Sequence, residues 1–477
     1  MLERVFKLSE NRTTARTETL AGLTTFLTMA YIIFVQPAVL SGKVFGTDTG
    51  VDFGAVTTAT CLSAALATAI MAVYARYPIA QAPGMGENFF FVFSALPAAT
   101  AAGFRNGWQV ALGVVFVSGV LFLILSLVGL RDLIFNAISP SLKNGIAAGI
   151  GLFIAFIGLQ QAGVIVRDPG TAVKLNARFA SPDSIVFFVG MLTTAVLHAR
   201  RVRDARRVRG SILWGIVVAT ILACLLKLSL PHMPASVSAA HDVSESMLNK
   251  RFEFANALIA LPPSLTPTFL KMDVAHALTP KMLPFVFVFL FMFTFDAIGT
   301  LIGVCEQAGF MRDNKLPRAK QAMISDAIGT VAGAALGTST VTSFVESAAG
   351  VEAGGRTGLT GLVVAALFLL ALFFSPVIAM IGGYPPITAP ALTIVGAMMM
   401  QNVAKIEWKD YTESIPAFLI SIGIPLSYSI ADGLALGFIS YAIIKAFSGR
   451  GREISWLTYV LAIVLVLYFV FVRSRMG

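Results

Sequence analysis

Four acids stand inside long apolar stretches of this chain. Asp296 follows about fourteen non-ionisable residues in FVFVFLFMFTFDAIGTLIGV, with Thr300 one helical turn on and on the same face. Glu346 sits in LGTSTVTSFVESAAGVEAGGRTG, Asp326 in AMISDAIGTVAGAALG, and Glu87 beside Asn88 in AQAPGMGENFFFVFSALP. An acid at the centre of a membrane span costs roughly 2.5–3.5 kcal/mol on insertion scales, so keeping several implies use. A carboxylate can accept two N–H bonds from one edge of a flat ligand, and such charge-assisted bonds are the strong ones. Burial favours the neutral form of an acid, which makes a buried carboxyl a candidate proton carrier. Each acid also has a plainer reading. Asp296 and Glu346 can be hydrogen-bonded braces between helices, Asp326 can cap or brace a helix start, and Glu87 stands open between the two roles.

The composition says what must hold these acids. Of 477 residues, 57% are hydrophobic and 13% charged, with mean hydropathy +0.82. A soluble domain is about a quarter charged, so a soluble enzyme and a disordered nucleic-acid-binding chain are both excluded. At about 20 apolar residues per crossing, the chain supports around thirteen or fourteen spans. The net charge of +10 fits loops that set orientation rather than nucleic-acid binding. Cys61, Cys224 and Cys305 are far apart, and the four histidines show no ligand spacing, so no disulfide framework, metal or other cofactor is expected. No GxSxG, HExxH or Walker pattern occurs, and GMGENF lacks the context of a dinucleotide fingerprint, so an enzyme is not expected.

Apolar windows fall at about 20–41, 54–75, 79–96, 108–130, 140–162, 184–199 and 210–229, then at 282–305, 319–336, 338–354, 358–381, 387–402, 413–430 and 432–447. This divides the chain into an N-terminal segment (1–19), a first set of seven spans (20–229), a polar connection (230–281), a second set (282–447) and a C-terminal segment (448–477) with one more apolar run at 456–472. The first span reads as uncleaved, and the connection is expected to carry a short interfacial helix near 250–260. With the N-terminus inside, Arg200, Arg201, Arg203, Arg206, Arg207 and Arg209 lie in a cytoplasmic loop, whereas the loop at 382–386 is uncharged and outside. If 456–472 crosses, Arg473 and Arg475 end up outside, so it is expected either to cross against that rule or to lie along the interface.

The Pro140-opened helix ISPSLKNGIAAGIGLFIAFIGLQQAG has a counterpart in GGYPPITAPALTIVGAMMMQNV, fifth in each set, which suggests a duplication. An odd number of spans per unit makes the repeats inverted. The third window of each set is interrupted. Pro83, Gly84 and Gly86 break the first, and Thr338, Ser339, Thr340, Thr342 and Ser343 give the second a strand-like start. Irregular backbone at membrane depth is tolerated only where protein shields it or it lines a cavity, and a matched pair of such spans is the best sequence pointer to a transporter binding site. Phe293 or Phe295 can stack on a flat ligand or simply pack, and Gly354-Gly355-Arg356 reads as an anion nest or a tight turn.

At GLTTFLTMAYIIFVQPAVL (22–40), APGMGENFF (82–90), FDAIGTLIGV (295–304), SDAIGTVAGAALGTSTVTSFVESAAGVEAGGRTGLT (325–360) and SYSIADGLALGFISY (427–441), the chain resembles the AzgA-like purine permeases of the nucleobase–cation symporter (uracil/xanthine permease) superfamily. The resemblance covers nearly the whole chain. It implies an all-α polytopic membrane protein with fourteen core segments in two inverted seven-segment repeats, arranged as core and gate domains, with short strands in spans three and ten. It also implies proton-coupled purine nucleobase uptake (hypoxanthine, guanine or adenine) at the cell membrane, N-terminus cytoplasmic, and a homodimer. Glu346 matches the base-binding acid of span ten, and Asp296 the span-eight acid of proton coupling. Asn88, Phe89, Thr300, Thr342, Ser343 and Phe344 fall at the substrate site, and Asp326 is supportive. Glu87 departs from the pattern, since many members have an apolar residue there. The rival reading is an anion carrier of sulfate or bicarbonate type in the same architecture, which would want a cationic or neutral site where this one carries acids.

Overall fold

Several helices in this chain begin where a polar side chain takes up the orphan N–H groups of a first turn. Thr14 caps Ala15–Met29, Asp52 caps Phe53–Ile70 through Ala55 N at 2.7 Å, and Ser139 with Pro140 opens Pro140–Gln161. The computed structural model describes residues 2–128, 138–177, 179, 181–203, 210–232, 241–310, 316–467 and 469–470. Among them, ten helices are long and apolar enough to cross a bilayer. Ala319–Leu336 and Tyr411–Ser427 occupy two further windows as helices that are more polar or shorter. The windows at 79–96 and 338–354 hold the interrupted segments. Arg206, Arg207, Arg209, Arg473 and Arg475 lie outside the described residues.

Two features differ from the sequence reading. The 230–281 connection carries its short helices at His241–Ser244, Met247–Arg251 and Val274–Ala277, while 252–260 is irregular. Ser246 decides this locally, because its side chain accepts from Asn249 N and starts the Met247–Arg251 turn. A β-hairpin also forms in the loop after Pro140–Gln161, pairing β2 (Ile165–Asp168) with β3 (Ala172–Leu175). Asp168 builds its turn by accepting from Gly170 N at 2.9 Å and Thr171 N at 3.1 Å. The Lys174 ammonium and these backbone donors hold the Asp168 carboxyl below the usual range.

The helices pack as two groups, and neither follows the order of the chain. One joins 15–40, 53–75, 107–128, 283–307, 319–336 and 358–371 with both interrupted segments. The other joins 140–161, 182–203, 211–229, 385–399, 411–427 and 430–447. In the second group the two proline-opened helices lie against each other. A Cβ on Gly396 would collide with the Gly151 carbonyl, so glycine at this crossing lets the backbones touch. The helix Trp456–Leu467 packs on 430–447 and rests Leu461 and Leu465 near Val288, Phe291 and Met292 of the other group. Its twelve described residues reach about 18 Å. At its foot, Lys445 is buried between Glu413 (3.0 Å) and Glu453 (2.9 Å).

The Gly354–Arg356 segment is a turn that also cradles an anion, and the anion comes from the chain itself. Gly354 has φ +103°, and Glu18, fully buried on the Ala15–Met29 helix, accepts from Arg356 N (2.9 Å), Thr357 N (3.3 Å), Thr360 N (3.2 Å) and Thr360 Oγ1 (2.6 Å). One carboxylate thus ties the start of the Gly358–Ala371 helix to the first span. Glu18→Ala leaves several buried donors unmet and is expected to cost about 2–4 kcal/mol. Thermal unfolding in detergent checks this, with Glu18→Gln expected to fall between the variant and the parent.

Candidate functional site

Both interrupted segments fold to the same plan. A three-residue strand runs in mid-span and a short helix follows it. Strand β1 (Gln81–Pro83) pairs antiparallel with β4 (Val341–Ser343), with Gln81 opposite Ser343, Ala82 opposite Thr342 and Pro83 opposite Val341. The ladder continues outward through Gly84 N to Thr340 O and Phe344 N to Ala80 O, both 2.9 Å. In a bilayer the free edges of so small a sheet would be costly. Two threonines meet them in the same way. Thr68 Oγ1 donates to Gln81 O (3.1 Å) and accepts from Gln81 N (2.9 Å), and Thr330 Oγ1 donates to Val341 O (2.9 Å) and accepts from Val341 N (3.1 Å). Gly333 lets Val341 lie against the 319–336 helix, where a Cβ would meet its Cγ2 at 2.8 Å.

Strand alternation sends neighbouring side chains to opposite faces. Ser343 points to Asp326, whose Oδ1 accepts from Ser343 Oγ at 2.9 Å and from Gln81 Nε2. Asp326 is fully buried and braces the two strands against the 319–336 helix, so the Ser343 hydroxyl is engaged on that side. Thr342 faces the other way, onto Asp296. Beyond the strands, Glu346 stands immediately before the helix Ser347–Glu352. On the first strand's side, Glu87 lies in the helix Met85–Phe90 and folds its carboxylate back over Gly84, where a Cβ would strike it.

Asp296 lies on Leu283–Gln307 with Phe293, Thr294 and Ala297 buried around it, yet it is itself exposed, as is Gly299, and Thr300 is half-exposed. Glu346, Glu87 and Asp326 lie near enough to interact with it electrostatically. Val345 is 54% exposed and Glu346 half-exposed. Residues 288–294 and 338–344 are all buried, so exposure on these two segments begins at Asp296 and Val345. Phe293 packs edge-on to Phe122 at 4.5 Å. The side chain of Phe295 lies outside the described residues. Phe344 is buried and Phe89 packs in an aromatic cluster.

Two residues of the first span join the site without having been singled out from sequence. Tyr31 Oη donates to Glu346 Oε1 at 2.8 Å and leaves Oε2 to other partners. Gln36 Nε2 donates to Thr338 Oγ1 (3.0 Å) and Ser339 Oγ (2.8 Å), and its Oε1 accepts from Asn88 Nδ2 (2.8 Å). Asn88 is fully buried and its Oδ1 has no hydrogen-bond partner. The available signal was a lone amide followed by Pro37 in an otherwise apolar AYIIFVQPAVL.

A model of the xanthine/uracil Permease family matches residues 16–436, a span that takes in both strands and all four acids. The chain belongs to that family. As a member of the Permease family it is a multi-pass membrane transporter. It is 41% identical to the guanine/hypoxanthine permease PbuO of Bacillus subtilis (strain 168), over 96% of this chain and 98% of that one. It is 40% identical to the adenine permease AdeP of Escherichia coli (strain K12), over 100% of this chain and 97% of that one. The transmembrane domain of the cyanobacterial bicarbonate transporter BicA matches it with a TM-score of 0.57 at 16% identity, over 88% of this chain and 97% of that one, a likeness of fold alone. The Trp456–Leu467 helix lies outside the family match.

The brace makes its own prediction. Asp326→Ala removes the acceptor shared by Gln81 and Ser343 and should lower the thermal midpoint by several degrees. Asp326→Asn keeps one acceptor oxygen and should recover part of that loss. An Asp326→Ala protein of unchanged stability would show that the strands need no brace.

Proposed function

We propose that this permease takes up purine nucleobases by alternating access, coupled to protons. The observation that carries the reading is the joined pair of interrupted spans, which sets Asp296 and Glu346 near each other, the exposed face of Asp296 marking the proposed substrate cavity. Hypoxanthine, guanine and adenine are flat, uncharged and rich in N–H groups and ring acceptors. Glu346, with Oε1 held by Tyr31, can accept from a lactam or amino edge. The free Oδ1 of Asn88 offers a further acceptor. A neutral base gains nothing from the membrane potential, so accumulation needs a coupled ion, and a carboxyl in the cavity is the group to carry it. The names of the relatives, guanine/hypoxanthine in one and adenine in another at nearly equal identity, support the purine class without choosing a base.

The same reading extends to the architecture. Ten long apolar helices, the two helices at 319–336 and 411–427 and the two interrupted segments make fourteen segments, seven on each side of the 230–281 connection. Three paired features support an inverted duplication. β1 lies on β4, Thr68 mirrors Thr330, and the Pro140-opened helix lies on the Pro385-opened one. The group holding the strands is then the core domain and the other group the gate domain. With the N-terminus cytoplasmic, as the arginine-rich 200–209 loop favours, the cavity beside Asp296 opens inward.

Uptake of radiolabelled bases by cells expressing the protein tests this. Uptake should rise as the medium is acidified, exceed the outside concentration, and collapse with a protonophore. Sulfate or bicarbonate transport without base transport would end the purine reading. Glu346→Gln, which removes a charge-assisted acceptor, should weaken base binding roughly ten- to hundredfold at normal membrane abundance. Asp296→Asn should impair accumulation more than equilibrium binding. Gradient-dependent accumulation undiminished in Asp296→Asn would place the coupling proton elsewhere.

A further inference from the structure

The exposed Asp296 and Val345 both follow buried stretches, 288–294 and 338–344. Beyond the buried 288–294 and 338–344 stretches, rings from the two helix groups meet edge to face. Phe45, Phe89 and Phe93 come from the group that holds the strands, and Phe153 and Tyr428 from the other. Centroid separations are 4.7 Å for Phe45–Phe93, 5.6 Å for Phe93–Phe153, 5.3 Å for Phe93–Tyr428 and 6.1 Å for Phe89–Phe153, within the range that aromatic pairs favour. Next to the rings, the hydroxyls of Ser94 and Ser429 approach to 3.4 Å across the same boundary.

The backbone on both sides is unusual where it presents these groups. Phe93 and Ser94 lie in a π-helical turn, Phe91–Ala95, between Met85–Phe90 and Leu96–Ala101. Such turns mark functional positions more often than ordinary helix does. Tyr428 has φ +56°, a left-handed conformation that is costly for a bulky residue, and its hydroxyl bonds to Gln160 of the 140–161 helix. The tyrosine is therefore pinned to its own group, while across the boundary it meets only ring edges. Such a contact breaks without stranding a charge or a strong hydrogen bond.

We propose that this aromatic cluster is the extracytoplasmic gate, shut here while the cavity beside Asp296 stands open to the cytoplasm. The inference rests on the alternating-access reading and on a cytoplasmic N-terminus. It goes beyond them in naming the residues that must part for a base to enter.

The labelling arms of the test need no substrate. In a background with Cys61, Cys224 and Cys305 replaced by serine, Ser94→Cys and Ser429→Cys are combined and bridged by oxidation or a short bifunctional thiol reagent. Bridging is expected, and it should reduce base uptake to below about a tenth until a reductant restores it. A Val345→Cys reporter in the bridged protein should still react with a membrane-impermeant maleimide in inverted vesicles and stay unreactive in whole cells. Separately, Tyr428→Ala should raise labelling of a single Ser94→Cys from outside several-fold. Failure to bridge, bridged protein that transports normally, Val345→Cys labelling from outside, or unchanged Ser94→Cys labelling in Tyr428→Ala would each overturn the gate. Absence of base uptake in the unbridged parent would instead overturn the transport reading and leave the labelling result standing.

Discussion

Everything in this protein depends on six residues of β-strand placed where a bilayer tolerates none in the open. The pairing of Gln81–Pro83 with Val341–Ser343 satisfies backbone groups that would otherwise be bare in hydrocarbon. The pair is too small to protect itself. Hydroxyls of Thr68 and Thr330 close its edges, Asp326 and Gln81 brace one face, and glycines let helices approach closely enough for those bonds to form. Because the strands come from distant parts of the chain, their pairing also joins the two halves of the molecule.

The pairing creates the chemistry as well. Interrupting two spans with strands brings the Glu346 and Glu87 carboxyls into electrostatic reach of Asp296. Acids in such a place are kept at a cost, and hydrogen bonding offsets it. Tyr31 serves Glu346, Ser343 and Gln81 serve Asp326, and Asp296 is itself exposed. The same economy appears at the membrane edge, where Glu18 replaces water for a cluster of backbone donors.

The division into two helix groups follows from how the surfaces pack. Small residues at the Gly151–Gly396 crossing hold the second group together through close backbone contact, whereas the boundary near Phe93 and Tyr428 is made of ring edges. A body that is tight within and loosely joined to its neighbour can move as a unit.

Composition alone required a polytopic membrane chain, and the apolar windows located its segments, because a run of twenty apolar residues has no other good place to go. The four acids and the two interrupted spans were visible for the same reason, as local departures from an apolar background. Proline, glycine and threonine at 83–86 and 338–343 showed where a helix must fail, and that is a local property of backbone sterics. What each broken span does next is not local. That Ser343 turns to Asp326 while Thr342 turns to Asp296, that Tyr31 and Gln36 reach the site, that Phe293 packs away from it and that Glu18 fills the Gly354–Arg356 cradle were decided by contacts between residues more than ten positions apart and often more than three hundred. Side-chain direction at such distances depends on strand register and helix rotation, and only the packed tertiary structure sets those.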